Sequence, residues 1–341
     1  MSLDERGEKG RLHMMVFAHA HAHAHVGVAP SRRTSRWSVA PTDDKKHAAM
    51  AVPRSVYVFL AIGVLAASQS GNIIRLGHAH PVVLAAWRLA MASALLAPLA
   101  GRDLAKLVRL TRAEMLMLLG GGVALAVHFF AWIGAVQHTT VASAATFFAI
   151  NPVITAVGGY VVFRERVSWW LAASIGLGVC GVALLGWGDV SLQPEHLVGD
   201  GLSLLCSVLF TVYFLIGKRL RQVLPTRTYV AAVYGVAAVF GFGTMVALGL
   251  PLASYDGQTW LCFALMAVGP TMLGHTSFNH ALAHLKASWI STVTLSEPLL
   301  AGLVAYFAWG EDVSGHGVAG YALICSSVVL LVRDRPEVAG G

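Results

Sequence analysis

The stretch "NPVITAVGGYVVFRERVS", residues Asn151–Ser168, aligns with "EPLLAGLVAYFAWGEDVS", residues Glu297–Ser314, without a gap when the chain is shifted by 146 positions. Pro152 meets Pro298, Tyr160 meets Tyr306, Glu165 meets Glu311, and Val167–Ser168 meet Val313–Ser314. The same register continues upstream. His138 falls on His284, Thr146 on Thr292, and Ala85–Ala86 on Ala231–Ala232. Chance supplies a few matches among apolar residues, but rarely Pro, Tyr, Glu and His together. Self-similarity at a fixed period is the mark of a duplicated architecture.

The repeated unit is strongly apolar. Of 341 residues, 56% are hydrophobic and 12% charged, with a mean hydropathy of +0.67. Soluble domains carry about 25% charged residues. A spanning helix needs about 20 mostly apolar residues. Ten such segments can be drawn, near 55–74, 81–100, 114–136, 140–163, 168–187, 201–217, 228–250, 259–282, 288–309 and 315–332. The expected fold is an all-α polytopic membrane protein of ten transmembrane helices. A β-barrel is excluded, because its strands alternate over about 10 residues instead of staying apolar for twenty.

Five spans per copy is an odd number, so the second copy enters the membrane from the opposite side. Arg164–Glu165–Arg166 accordingly becomes Gly310–Glu311–Asp312. Two inverted five-helix repeats are a transporter signature, with the substrate site near the midplane at the repeat interface. The expected boundaries are a disordered cytoplasmic tail over 1–52, a first repeat over 53–190 and a second over 199–335.

Charge sets the expected orientation. With the N-terminus inside, the inner loops hold Arg102, Lys106, Arg109, Arg112, Arg164, Arg166, Lys218, Arg219, Arg221, Arg227 and Lys286, and the end of the chain adds Arg333 and Arg335. The opposite loops hold only Arg75 among basic residues, with Asp189, Glu195, Asp256, Glu311 and Asp312. This positive-inside bias predicts N-in and C-in. The net charge of +7 thus reports orientation in a lipid bilayer, and no nucleic-acid partner is expected.

The first fifty residues differ in character. They are polar and carry "AHAHAHAH" at Ala18–His25. The run "MMVF" is too short for the apolar core of a signal peptide. His19, His21, His23 and His25 alternate with alanine and offer no fixed geometry for a metal, so a low-complexity tail is expected, or a start at Met50. Cys180, Cys206, Cys262 and Cys325 fall inside predicted spans, with no CxxC spacing. They read as small buried hydrophobes. No metal or cofactor site is expected.

Four stretches resemble the EamA family of the drug/metabolite transporter superfamily: "PVVLAAWRLAMA", "HTTVASAATFFAINPVITAVGGYVVFRERVSWWLAASIGLGVCGVALL", "GDGLSLLCSVLFTVYFLIGKRL" and "LKASWISTVTLSEPLLAGLVAYFAWGEDVSGHGVAGYALICSSVVLL". The resemblance runs from Pro53 to about Arg335. It implies a ten-helix inverted-repeat fold, and export of small metabolites, amino acids or toxic compounds across the inner (cytoplasmic) cell membrane. Two positions depart from the pattern. Arg164 stands where glycine is usual before the glutamate, and Ile150–Asn151 precedes Pro152 where a small or polar residue is common.

Within the spans, proline removes a backbone hydrogen bond and clashes with the preceding turn. Pro152 and Pro298 therefore predict a mid-membrane kink or hinge in spans 4 and 9. Glu297 lies about 9 residues, or ~14 Å, into its span. An ionisable group at that depth is a functional-site hypothesis by default. Its mate Asn151 cannot titrate. His128 with Trp132, and His275 with Asn279, sit four apart on one helix face each. With Glu297 they are the leading cavity candidates, followed by Asn151, Asn72, Ser68, Tyr213 and Trp289. Arg88, about 10 Å deep, reads as a structural charge that snorkels or bonds helix-end carbonyls. Glu165 and Glu311 read as structural, capping the following helix or securing a turn. Small-residue runs such as "SIGLGVCG", Ser174–Gly181, permit close helix packing.

The favoured function is a secondary-active transporter, an exporter of a small molecule by alternating access, with import, exchange or a transport-free regulatory role as alternatives. No GxxxxGK[ST] motif encodes ATP drive. An intramembrane enzyme would need convergent catalytic groups, and neither HExxH nor an aspartate falls inside the predicted spans, so no enzyme is expected. A single intramembrane arginine favours a neutral, zwitterionic or cationic substrate over a phosphate ester. A monomer is sufficient, and a dimer is compatible with the sequence.

Overall fold

The structure is a computed structural model that describes residues 52–187, 193–310 and 314–334. The tail with its His–Ala tract, and the loop residues Asp189, Glu311 and Asp312, lie outside the described residues. Among the described residues all regular structure is helical. Nine helices are long and apolar enough to cross a membrane: Arg54–Ile74 (span 1), Pro81–Arg109 (span 2), Arg112–His138 (span 3), Val141–Phe163 (span 4), Pro194–Leu220 (span 6), Thr226–Ala247 (span 7), Gly257–Ala281 (span 8), Ala287–Ala308 (span 9) and Gly315–Arg333 (span 10). Span 5, Trp169–Leu185, is a shorter apolar helix. The ten expected spans are present.

Their ends follow local chemistry. Thr111 and Glu114 form a reciprocal capping box at the start of span 3, satisfying two orphan donors at once. Asp256 caps span 8, its Oδ1 accepting from the Thr259 amide at 2.7 Å. That bond holds the Asp256 carboxyl below the usual range. Span 6 differs from expectation. It begins at Pro194 instead of near 201. Proline at the first helical position is pre-set for the turn and lacks only an amide that would be orphaned anyway. Asp200 therefore lies inside a span and is buried, contrary to the reading that no aspartate did.

The duplication is visible in the backbone. Arg164 and Gly310, mates in the 146 register, both end a helix in the left-handed conformation, at φ 59° and 67°. Ser168 and Ser314, also mates, both cap the next helix, accepting from Leu171 N at 3.0 Å and Gly317 N at 3.1 Å.

The copies are also inverted relative to one another. Spans 5 and 10 are mates, and they pack with Ser174 against Ser327 and Gly181 against Gly320. Ser174 Oγ donates to Ser327 O at 2.8 Å and Ser327 Oγ to Ser174 O at 2.7 Å. A Cβ on Gly181 would come within 2.9 Å of Gly320 O, so the small residues allow backbone contact here, as expected of a membrane interface. Spans 2 and 7 are mates as well. Ser93 donates to Ala231 O at 2.8 Å, and a Cβ on Gly241 would meet the Ala86 Cβ at 2.9 Å. In both pairs residue numbers fall on one helix as they rise on the other, so mates run antiparallel. A large apolar core, from Val56 on span 1 to Leu331 on span 10, joins the two copies, and a small second cluster of Ala149, Val182, Leu295 and Ile324 lies apart from it.

Candidate functional site

The duplicated proline does more than kink its helix. Span 4 stops at Phe148 and restarts as Asn151–Phe163. Span 9 runs Ala287–Val293, passes through a 3₁₀ turn at Thr294–Ser296, and restarts as Glu297–Trp309. In each restarted half the proline sits in the first turn, where its missing amide costs no hydrogen bond. The half that ends leaves orphan carbonyls that lipid cannot satisfy. On span 9 side chains meet that need: Thr294 Oγ1 donates to Ser291 O at 2.8 Å and Ser296 Oγ to Val293 O at 2.7 Å. Glu297 occupies the first position of the restarted half, where a carboxylate is favoured by the helix dipole.

A cavity of about 660 Å³ surrounds these breaks. Ser68 and Asn72 of span 1, Trp132 of span 3, Asn151–Pro152 and Glu297–Pro298 line it. It extends to one end of the bundle, past Arg75, Thr140, Trp187 and His316. A second chamber of about 60 Å³ shares Ala67, Ser70, Trp132, Phe148 and Glu297 with the first and adds Arg88, His128 and His275. Members of all three leading candidate groups therefore converge: Glu297 and Trp132 line both spaces, while His128 and His275 line the inner one. The two imidazoles lie 6.0 Å apart between centroids. His128 Nδ1 sits 3.0 Å from Cys206 O.

The two break residues are held very differently. Asn151 is fully buried. Its Nδ2 donates to Ser207 O at 2.8 Å and Thr211 Oγ1 at 3.0 Å, both on span 6, and its Oδ1 accepts from Thr155 at 3.4 Å. Thr155 in turn accepts from Ser291 at 3.2 Å, tying the two broken spans together. Glu297 is half-buried, and among the described residues no side chain holds its carboxylate. Asn72 reaches the restarted half of span 9, donating to Ala301 O at 3.2 Å.

Three residues named from the sequence lie elsewhere. Asn279 donates to Tyr213 Oη and to His275 O at 2.7 Å, so both belong to the core beside the chamber. Trp289 packs edge-on to Tyr57 at 6.0 Å. Neither cavity is lined by any of the three. The i, i+4 rule placed Asn279 on the face of His275 correctly, but that face is shared between the chamber and span 6.

Arg88 and Glu165 depart from their expected roles. Arg88 does not snorkel. It is 0% exposed, its Nε donates to Thr271 Oγ1 at 2.8 Å, and its guanidinium lies 3.9 Å above the Phe129 ring. Glu165 does not cap span 5, since Ser168 does. Its amide closes the turn onto Gly159 O at 3.3 Å, and its carboxylate pairs with Lys218 of span 6, both side chains buried. Lys218 also donates to Leu285 O at 3.1 Å, and Lys286 to Arg166 O at 3.1 Å. This cluster lies at the helix ends opposite those that line the cavity mouth. Nearby His284 is held below the usual imidazole range, by burial first and then by the Arg221 charge.

Sequence reasoning missed Asp200, Lys218 and Thr271. Asp200 accepts from Ser143 at 2.8 Å and joins spans 4 and 6. It was missed because the start of span 6 was placed too late. Thr271 lies in a π-helical stretch, Ala267–His275, containing Pro270. That widened turn lets Thr271 Oγ1 donate to Met266 O at 2.8 Å while accepting from Arg88. Pro270 inside a span was the available signal.

A bundle of membrane-crossing helices, with two broken spans around one cavity, defines a membrane transporter architecture. The EamA-like transporter family matches the chain twice, over residues 54–187 and 197–333, and the chain belongs to that family. It is 27% identical over 203 residues to an uncharacterized transporter of Archaeoglobus fulgidus, covering 60% of this chain and 71% of that protein. It is 28% identical over 170 residues to the uncharacterized transporter YwfM of Bacillus subtilis, covering 49% of this chain and 55% of that one. A solved crystal structure shares the fold at a TM-score of 0.70 and 19% identity, covering 83% of this chain and 98% of its own.

Proposed function

We propose that the protein is a secondary-active transporter of the inner cell membrane that exports a small organic molecule by alternating access. The observation that carries this reading is the cavity itself. It is lined by the two broken helices, Asn151–Pro152 and Glu297–Pro298, and continues toward one end of the bundle along Arg75, Thr140, Trp187 and His316. With N-in orientation that end faces outward, and the Glu165–Lys218 pair lies toward the cytoplasmic end. Inverted repeats supply a second arrangement in which the two ends exchange roles. A volume of about 660 Å³ suits a ligand of metabolite or drug size, within the ~300–1,000 Å³ of typical ligand sites.

Glu297 is the cavity's ionisable group on a moving element. Its carboxylate takes up and releases a proton, or a cationic substrate group, as the restarted half of span 9 changes partners. The test is extracellular metabolite profiling of cells producing the wild type or a correctly inserted Glu297→Gln variant. A compound enriched outside with the wild type alone supports export and a part for Glu297 in the cycle. Equal enrichment with both keeps the exporter and removes Glu297 from the cycle. Depletion from the medium by the wild type would replace export with import.

A further inference from the structure

Arg88 is the least explained charge in the molecule. It is fully buried among helices, where a cation is expensive unless it is paired. Part of that cost is met. Phe129 covers one face of the guanidinium at 3.9 Å, a cation–π contact that desolvation strengthens. The Nε donates to Thr271 Oγ1 at 2.8 Å. Thr271 is itself held, donating to Met266 O at 2.8 Å, so the guanidinium plane is fixed on both counts.

What remains is its outer edge. Nη1 and Nη2 are buried, and neither has a hydrogen-bond partner among the described residues. Arg88 lines the inner chamber together with Glu297, yet the two charges form no ion pair. His128 and His275 complete the polar wall. Two parallel N–H groups in a rigid plane match the two oxygens of one carboxylate. The chamber, at about 60 Å³, is small beside the main cavity of about 660 Å³. It suits a polar head group and not a whole ligand of the main cavity's size. The body of such a ligand would lie in the larger cavity, against Trp132 and Phe148, which line both spaces.

We infer that Arg88 is a carboxylate-binding subsite at the inner end of the cavity, and that the transported substrate carries one carboxylate on a partly apolar body. The inference rests on the transporter reading above and names the substrate class of the same site. One guanidinium neutralises one carboxylate, and Glu297 on the same wall disfavours a second negative charge. It favours an amine on the same molecule. A zwitterion or a simple monocarboxylate satisfies the site, and a phosphate ester does not.

The test compares two probes of the same shape, 3-phenylpropionate and 3-phenylpropanamide, by titration calorimetry on the full chain in lipid nanodiscs. The wild type is expected to bind the acid at least about tenfold more tightly than the amide, the equivalent of one charge-assisted bond. Arg88→Lys keeps the charge but loses the fork, and should shrink the preference severalfold. Arg88→Gln should abolish it. Arg109→Gln, at the exposed end of span 2 and outside both cavities, should leave it intact. Equal binding of acid and amide by the wild type, or no binding of the acid, overturns the subsite. So does a preference that survives Arg88→Gln or is lost in Arg109→Gln. If Arg88→Gln does not fold, the wild-type comparison and Arg88→Lys still decide. Export of a compound without a carboxylate would leave the transporter reading standing and remove the subsite. A persistent acid preference without transport would do the reverse.

Discussion

The restarted halves of spans 4 and 9 are the same element made twice, and the protein uses them in opposite ways. Asn151–Phe163 is fastened at both ends. Asn151 bonds span 6 at its start, and Glu165, just past its end, pairs with Lys218 of the same span. Glu297–Trp309 starts with a carboxylate that no described side chain holds, and it is tied to span 1 by Asn72. A duplicated backbone device thus yields one anchored arm and, in the transport cycle proposed above, one movable arm. The side chains before the two prolines differ accordingly. An amide that satisfies both its donor and its acceptor locks the first break, while the carboxylate at the second has no partner among the described side chains.

The strongest way to break the comparison is at Lys218. Removing one member of a buried pair strands the other charge and costs about 3–5 kcal/mol. Lys218→Met should destabilise the protein by that amount, measured by unfolding in mixed micelles, and Lys218→Met with Glu165→Gln should recover most of it. A Lys218→Met variant as stable as the wild type would mean that the first arm is not fastened there.

Asn151 gives the next largest effect. Three hydrogen bonds join it to Ser207, Thr211 and Thr155, and membrane hydrogen bonds average about 0.6 kcal/mol each. Asn151→Leu should therefore cost about 2 kcal/mol in the same unfolding assay. Its mate sharpens the contrast. Glu297→Gln should change stability by less than about 1 kcal/mol, because no partner is stranded, while lowering transport at least about tenfold. If Glu297→Gln instead destabilises the protein as strongly as Asn151→Leu, the two breaks are both anchors.

Much of this arrangement was readable from the sequence. The 146 register and its prolines located a bend in spans 4 and 9, while the left-handed ends at Arg164 and Gly310 and the serine caps at Ser168 and Ser314 went unread because the cap was expected at Glu165 and Glu311. Glu297, Trp132, His128 and His275 were found because polar groups are scarce in apolar spans, so those present stand out. Tyr213, Asn279 and Trp289 were grouped with them on the same logic and belong to the core. Helical spacing tells which residues share a face, but not whether the neighbour on that face is a cavity or another helix. Arg88 and Lys218 show the same limit from the other side. Whether an arginine reaches outward or turns inward depends on an acceptor such as Thr271, which is 183 positions away and presented by a π-turn.

The smallest predicted effect tests the backbone symmetry alone. Arg164 and Gly310 hold equivalent left-handed positions at φ 59° and 67°. For a residue with a Cβ that conformation costs about 1–2 kcal/mol, and glycine avoids the cost. Glycine also loses more freedom on folding, which offsets about 0.5–1 kcal/mol of the gain. The contact of Arg164 with Tyr160, 6.0 Å from guanidinium to ring centre, is lost as well. Arg164→Gly should thus raise stability by only about 0.5 kcal/mol. The reciprocal change carries the same entropic offset but loses no side-chain contact. Nothing lies within 4 Å of a Cβ built on Gly310, so Gly310→Ala meets the backbone cost less that offset and should lower stability by about 0.5–1 kcal/mol. Opposite signs at the two mates would show that one backbone geometry is imposed on both copies. A neutral Gly310→Ala would show that the second cap relaxes, and that the movable arm begins to differ from the anchored one at its last turn as well as at its first.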